Sequence, residues 1–281
     1  MNIRKAKEND KKDLVEVTRY SWDDDYIPEV FDDWVKEKNG NFYVIEEKNK
    51  VIGCGRMKEI KPGIFWLEGL RVHKNFRNKG YARKLTEFFL KLAGEKGYKK
   101  IMFSTYFENV ESRHIMENYG FVVFSKYKWL YFNEKKYNEL SDENFKIAED
   151  FEKIKNYIFN SIEYKYFNYI SFAWTFIEFD VELLKYIFDR KEIFIKESEG
   201  EIETLVILSE YLQKNNTLSI SFISGDIETA LDFSIYQYLK KEKSYLNIMI
   251  PEELHIKNKF LNKGFLEEDN EKTNVLLYVL E

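Results

Sequence analysis

One cysteine and three histidines in 281 residues leave little material for sulfur or imidazole chemistry. Cys54 has no partner for an internal disulfide and reads as a small residue within a strand. Together with His73, His114 and His255 it shows no ligand spacing, so no metal site is expected. Nowhere do 18 apolar residues run consecutively, and the opening Met-Asn-Ile-Arg-Lys lacks the apolar core of a signal peptide. The expectation is a soluble, cytoplasmic protein. A basic excess is also missing: the formal net charge is −5, which argues against nucleic acid or an anionic membrane as partner. Arginine is scarce and unevenly placed, at 4, 19, 56, 71, 77, 83, 113 and 190. Because the guanidinium is the better fork for phosphate, any phosphate chemistry is expected in the first half.

What is present suffices for two ordinary domains. A hydrophobic content of 44%, with 17% aromatic residues, can fill sizeable cores and excludes wholesale disorder. The first half reads as a short strand at Asn2–Ala6, a helix capped by Asn9 or Asp10, and a loop through Trp22, Asp23, Asp24, Asp25 and Tyr26. A helix near Glu29–Lys36 precedes a hairpin that turns at Lys48-Asn49-Lys50, and Pro62-Gly63 leads into a strand bearing Glu68. From Leu70 the chain crosses a polar loop into a helix with apolar residues at 81/82, 85, 88/89 and 92/93, the stripe of a helix packed on a sheet. Between strand and helix lies Arg77-Asn-Lys-Gly80-Tyr-Ala82. A helix start exposes unpaired N–H groups at the positive end of a dipole, and a glycine there lets an anion come close. This is a phosphate seat made largely of backbone. A strand at Ile101–Thr105, Asn109 and a short helix closing at Tyr119-Gly120-Phe121 follow.

In order and spacing, residues 1 to about 133 resemble the GNAT superfamily of acyl-CoA N-acyltransferases, whose Arg-x-x-Gly-x-Ala motif follows the fourth strand. The resemblance implies an α+β (mixed α/β) fold with a mostly antiparallel sheet flanked by helices. It implies acetyl-CoA as acyl donor, its pantetheine along the backbone of Leu70, Arg71 and Val72. The pyrophosphate would lie on the N–H groups of Asn78, Lys79, Gly80, Tyr81, Ala82 and Arg83, beside Arg77. Asn109 stands where the family's asparagine contacts the cofactor, and equally where a helix needs an N-cap. Glu68 is the general-base candidate; simple alternation would put Trp66, Glu68 and Leu70 on one strand face, and bulky apolar neighbours would raise its pKa. The family's general-acid tyrosine is replaced by Met116, which leaves Tyr106 and Tyr119 as nearby candidates. His114 reads as surface or capping, and His73 as loop.

The second half repeats the pattern. Phe145-Lys-Ile-Ala148 echoes Ile3-Arg-Lys-Ala6, and Gly264-Phe265 echoes Gly120-Phe121, at offsets of 148 − 6 = 142 and 264 − 120 = 144. Strands are expected near Ile193–Glu197, Ile202–Leu208, Leu218–Ile223 and Leu246–Ile250, with a helix at Ile227–Leu239. The counterpart of the phosphate seat is Ser224-Gly-Asp226-Ile-Glu228, whose carboxylates would repel a pyrophosphate. The expected organisation is a catalytic domain at 1–135, a charged boundary, and a degenerate GNAT-like domain at 141–281 without a CoA site. The expected activity is transfer of an acetyl group to a primary amine of a small molecule or peptide. A non-catalytic sensor of acyl-CoA or amine is the alternative, and an interaction scaffold would leave Arg77–Ala82 idle. The acidic, aromatic loop at 22–26 suits a cationic amine or is a solvated charge run. Oligomeric state is left open.

Overall fold

The computed structural model describes residues 1–21, 25–37, 40–135, 144–210, 216–267 and 274–281. Their contacts fall into two compact units: Met1–Thr105 with Asn109–Phe124 and Tyr278–Glu281, and Tyr106–Glu108 with Ser125–Leu277. The chain therefore divides between Phe124 and Ser125, inside a strand. Of the predicted boundary, residues 136–143 lie outside the described residues.

The first unit runs β1 (Asn2–Lys5), a 3-10 turn at Glu8–Asp10, α1 (Lys11–Thr18), α2 (Ile27–Lys36), β2 (Asn41–Glu47), β3 (Lys50–Lys61) and β4 (Ile64–Val72). A 3-10 turn at Lys74–Phe76, α3 (Tyr81–Glu95), β5 (Lys100–Tyr106) and α4 (Val110–Glu117) complete it. The sheet order is β1-β2-β3-β4-β5, antiparallel except for the parallel β4–β5 pair. The β2–β3 hairpin turns through Lys48 and Asn49, both at positive φ (50° and 59°), the backbone a two-residue type I′ turn requires. Alternation then sorts the faces. Phe42, Val44 and Cys54 point toward α1 and α2, packing with Leu14, Val17, Ile27, Val30, Phe31 and Trp34. Tyr43 points the other way, onto Phe88 and Phe89 of α3. There α3 lies so close that a Cβ at Gly55 would stand 2.9 Å from the Phe89 ring. The closing residues of the chain are part of this unit: Tyr278 stacks on Phe103 at 4.8 Å, accepts from Arg113 Nε (3.2 Å) and donates to Glu117 (2.6 Å).

The strand β6 (Val122–Phe132) carries the chain into the second unit. There follow β7 (Phe145–Ile147), α5 (Phe151–Asn160), a 3-10 turn at Glu163–Lys165, β8 (Tyr169–Phe172), β9 (Thr175–Glu178), α6 (Val181–Asp189), β10 (Ile193–Ser198) and β11 (Glu201–Ser209). Then come β12 (Thr217–Gly225), α7 (Ile227–Lys240), β13 (Tyr245–Pro251), α8 (Lys257–Asn262), β14 (Leu266–Glu267) and β15 (Asn274–Leu280). Its sheet runs β7-β10-β11-β12-β13-β6, with β12–β13 parallel and the other pairs antiparallel, the same plan as the first. The repeat extends to single bonds. Ala6 N donates to Phe42 O at 2.9 Å, and Ala148 N donates to Ile193 O at 2.9 Å. Gly120 and Gly264, at φ 86° and 87°, end their helices with Phe121 N on Met116 O and Phe265 N on Phe260 O. Both are the six-to-one closure of a Schellman cap, which needs a left-handed residue and so favours glycine. Among the described residues the β8–β9 hairpin, turning through Ala173 at φ 54°, has no counterpart in the first unit.

Asp10 differs from expectation. Its side chain makes no capping bond to α1. It instead accepts from Arg4 Nη1 and Nη2 (2.7 and 2.8 Å) and from the backbone N–H of Lys7 (2.8 Å), tying β1 to the turn that follows. Burial pushes this carboxyl up, but the Arg4 fork and the Lys7 N–H outweigh it and hold it below the usual carboxylate range. A depressed folded-state value means the unfolded chain takes up the proton first. The stabilisation is thus complete above the ordinary value of about 4 and is lost as pH falls through the depressed one. Asp10→Asn should cost about 2 kcal/mol at pH 7. Urea midpoints of variant and wild type should converge as pH falls below about 4; a gap constant from neutral to acid pH would contradict this assignment.

Candidate active site

The site begins with a break in the sheet. β4 and β5 pair only at their starts, Ile64–Trp66 against Lys100–Met102, and β4 then continues to Val72 on its own course. On its other side the β3–β4 register slips: Arg56 faces Glu68 and Cys54 faces Arg71, so Gly55 is opposed by two residues, Gly69 and Leu70. This is a bulge, and Gly69 takes it up at φ 68°. The insertion resets the alternation. Glu68 and Arg71 share the α2 face, which corrects the expectation that Glu68 and Leu70 do. Arg71 Nε donates to Asp25 at 2.6 Å, and Asp25 accepts from Ile27 N at the start of α2 (3.1 Å). Of the acidic loop, Trp22, Asp23 and Asp24 lie outside the described residues; Asp25 is committed to Arg71 and to the helix.

Beyond β4, the loop to α3 keeps its glycine in the left-handed region, Gly80 at φ 80°, with Asn78 also positive at 59°. No side chain caps α3, whose first bond is Lys84 N to Gly80 O (3.0 Å). The N–H groups of Tyr81, Ala82 and Arg83 therefore have no acceptor within the helix. A Cβ built on Gly80 meets nothing within 4 Å, so the approach is open. The cations divide in two. Arg77 is spent on the loop, its Nε on Val72 O (3.2 Å) and Nη2 on Tyr20 O (2.9 Å), and Lys79 binds Asn75 O (2.9 Å). Arg83 is exposed on the first turn of the helix. Tyr81 donates to Glu47 and anchors the helix start to the β2–β3 hairpin.

Glu68 does not sit among apolar neighbours as predicted. It accepts from Arg56 Nη1, while Arg56 Nη2 reaches Glu37 just past the end of α2, and Trp34 lies 4.7 Å above the guanidinium. The Arg56 side chain is 8% exposed and that of Glu68 16%. Arg56, Lys58 and Glu37 were missed by the sequence reading. The available signal was a pair of cations at alternate positions, Arg56 and Lys58, in an otherwise apolar strand. Lys58 faces Trp66 across the ladder, on the Glu68 side.

The remaining candidates separate. Asn109 is the N-cap of α4, accepting from Ser112 N (3.3 Å) and donating to Thr105 Oγ1 (3.0 Å). Tyr119 donates to Glu87 of α3 at 2.7 Å, on the sheet face opposite to Glu68, so the structure does not bring the two together. Tyr106 belongs to the second unit, its ring 4.6 Å from Trp174. Met116 is buried, with Thr86 Oγ1 3.9 Å from its sulfur. His73 caps the 3-10 turn through Nδ1, and His114 contacts Asn118. Among the described residues no group of three or more His, Cys, Asp or Glu could hold a metal, and no described helix is long and apolar enough to cross a membrane.

The equivalent junction of the second unit is closed. Asp226 caps α7, accepting from Thr229 Oγ1 (2.6 Å) and from the N–H groups of Glu228 (3.1 Å) and Thr229 (3.4 Å). These bonds, the Thr229 hydroxyl first, hold its carboxyl below the usual range. Gly225 has no free space: a Cβ would lie 2.1 Å from Glu203 O. The β8–β9 hairpin packs on β12, where Ser221, the extra residue of the bulge in that strand, donates to Ser171 O at 3.4 Å.

Comparison with known proteins agrees with this geometry. Residues 10–121 match the model of the Acetyltransferase (GNAT) family. No curated protein sequence matches the chain. The GCN5-related N-acetyltransferase of Sphaerobacter thermophilus superposes with a TM-score of 0.69 at 10% identity, over 100% of this chain and 95% of that one. The tandem GNAT protein of the clavulanic acid biosynthesis pathway gives 0.63 at 10% identity, over 100% and 98%. Identities this low show shared fold alone. The first unit thus carries a domain of the GNAT acetyltransferase family, and the chain as a whole has the GNAT fold twice over.

The two glycines give a stability test. Gly80→Ala should cost about 1–2 kcal/mol, the price of a left-handed non-glycine residue in open space. Gly225→Ala meets that strain and a backbone collision, and should cost more than about 3 kcal/mol or prevent folding. Equal melting temperatures for the two variants would contradict the packing described.

Proposed function

We propose that the protein is an acetyl-CoA-dependent N-acetyltransferase acting on a primary amine. The observation that carries the reading is the uncapped, sterically open start of α3 at the end of a strand that has parted from its neighbour. Backbone N–H groups at a helix start take a pyrophosphate without further apparatus, and Arg83 adds an exposed cation on the same turn. The residues fit such a donor. The thioester supplies the acetyl group. Because α3 covers one face of β4, the amine is taken to approach from the other, where Glu68 lies. Glu68, held in place by Arg56, accepts a proton from the incoming ammonium or fixes it before deprotonation. The bulge at Gly69–Leu70 frees backbone N–H groups from the ladder, the kind of donor that stabilises an oxyanion. Met116 supplies no acid; a thiol of ordinary pKa about 8.5 can leave without one.

A second reading, a non-catalytic sensor of acyl-CoA or amine, draws on the same Met116 and on the commitment of Glu68 to Arg56. Turnover of acetyl-CoA with a panel of amines, followed by product mass, separates the two. Glu68→Gln should lower kcat by about 10²- to 10⁴-fold with little change in acetyl-CoA affinity. Gly80→Leu should instead abolish donor binding in a protein that still folds. A Glu68→Gln protein at wild-type rate, or unaltered acetyl-CoA affinity in Gly80→Leu, would remove the corresponding residue from the site.

The second unit is read as an architectural partner without a donor site, because Asp226 occupies the helix start that a pyrophosphate would need. Calorimetric titration should give one acetyl-CoA per chain; two equivalent sites would overturn this.

A further inference from the structure

The acceptor face holds a cation that the proposed mechanism leaves unused. On that face of the β3–β4 ladder, Arg56 is opposite Glu68 and Lys58 is opposite Trp66. The two carboxylates of the cluster, Glu37 and Glu68, are both taken by Arg56. Lys58 has no hydrogen bond or ion pair among the described residues. It is half-buried, and burial lowers its pKa, only partly offset by Glu68 and Glu37 and worsened by Arg56. A desolvated ammonium without a counter-ion is costly in the free protein, and an anionic ligand would relieve that cost. Diagonal neighbours across an antiparallel pair stand about 7–8 Å apart at Cα. Two side chains reaching inward from Glu68 and Lys58 could therefore hold the two ends of one small molecule.

Resting on the acetyltransferase reading, we propose that Lys58 binds a carboxylate of the acceptor, so that the acceptor is an amine that also carries an acid: an amino acid, or a peptide end with a nearby carboxylate. Glu68 faces the ammonium and Lys58 the carboxylate. The zwitterion matches the alternating charges of the face, and a plain alkylamine leaves Lys58 unpaired.

The test pairs each carboxylate-bearing amine (glycine, β-alanine, 4-aminobutyrate, glutamate) with its uncharged amide, and adds a phosphate-bearing amine, phosphoethanolamine, as a third arm. In the wild type kcat/KM should favour the acid over the amide by at least about 10-fold, the range of one charge-assisted hydrogen bond. Lys58→Met, which keeps an apolar stem, should collapse that ratio toward one, and Lys58→Glu should invert it in favour of the amide. A wild-type ratio near one, or the same ratio in Lys58→Met, overturns the proposal, as does a preference for phosphoethanolamine over every carboxylate. Should no amine turn over, the acetyltransferase reading fails separately. Calorimetric binding of the same acids to wild type and Lys58→Met then decides the role of Lys58: weaker binding in the variant supports it, and equal or absent binding overturns it.

Discussion

One extra residue in β4 sets the geometry on which the site depends. Without the bulge at Gly69–Leu70, residues three apart in a strand would face opposite sides, and Arg71 would leave the face that holds Glu68. With it, both side chains turn toward α2, and each is met by an opposite charge: Glu68 by Arg56, Arg71 by Asp25. Two ion pairs on one face link β3 and β4 to both ends of α2, since Glu37 follows its last turn and Asp25 precedes its first. Of these, Arg71–Asp25 is the buried one, and removing one partner from such a pair typically costs about 3–5 kcal/mol, whereas the intact pair adds little net stability. The ion pairs thus fix where α2 sits more than how stable the unit is. That position in turn seats Trp34 over both Gly69 and Arg56.

The two repeats differ in few residues where the bulged strand gives way to the following helix. Both have a parallel pair beside a bulged strand, and both follow that strand with a glycine of positive φ and a helix. In the first, the glycine faces open space and the helix start is uncapped. In the second, an aspartate satisfies the helix start and the glycine is pressed against β11. An internal carboxylate is always present at effectively high concentration, and Asp226 already takes the N–H groups of Glu228 and Thr229. The second unit has a capped helix start where the first has an open one, and the β8–β9 hairpin adds buried aromatic rings such as Phe172 and Phe176.

Much of this was legible in the sequence. Helix periodicity, the turn signals, Gly80 and the two Gly-Phe closures are local features, and local features survive into the fold. The repeat was visible because a Schellman cap needs the same residue wherever it occurs. What the sequence hid is non-local. Nothing around residue 69 announces a bulge, because Gly in a strand has several uses, and alternation misassigned Leu70 as a result. Arg56 was unremarkable until β3 brought it opposite Glu68, and Asp10 looked like a cap until Arg4 was seen to take its oxygens. The β8–β9 hairpin was missed because its turn uses Ala173 in a left-handed conformation that no turn rule favours for alanine.

The ends of the two units are where chain order and structure part company. Reading along the sequence, β6 follows the first Gly-Phe closure and should finish the first sheet. Its residues Tyr127–Phe132 instead pair with β13 in the second unit, while Tyr278 from the chain end stacks on Phe103 and bonds Arg113 and Glu117 in the first. Each unit therefore takes residues from outside its own continuous stretch of sequence. A cut anywhere between the repeats removes Tyr278 from the first unit and exposes one face of Phe103. The first repeat alone is then not the compact unit, and the closed helix start of the second does not make it dispensable. A repeat whose end supplies core residues to the first cannot be discarded by truncation. This gives a physical reason for the second copy to persist whatever chemistry it carries.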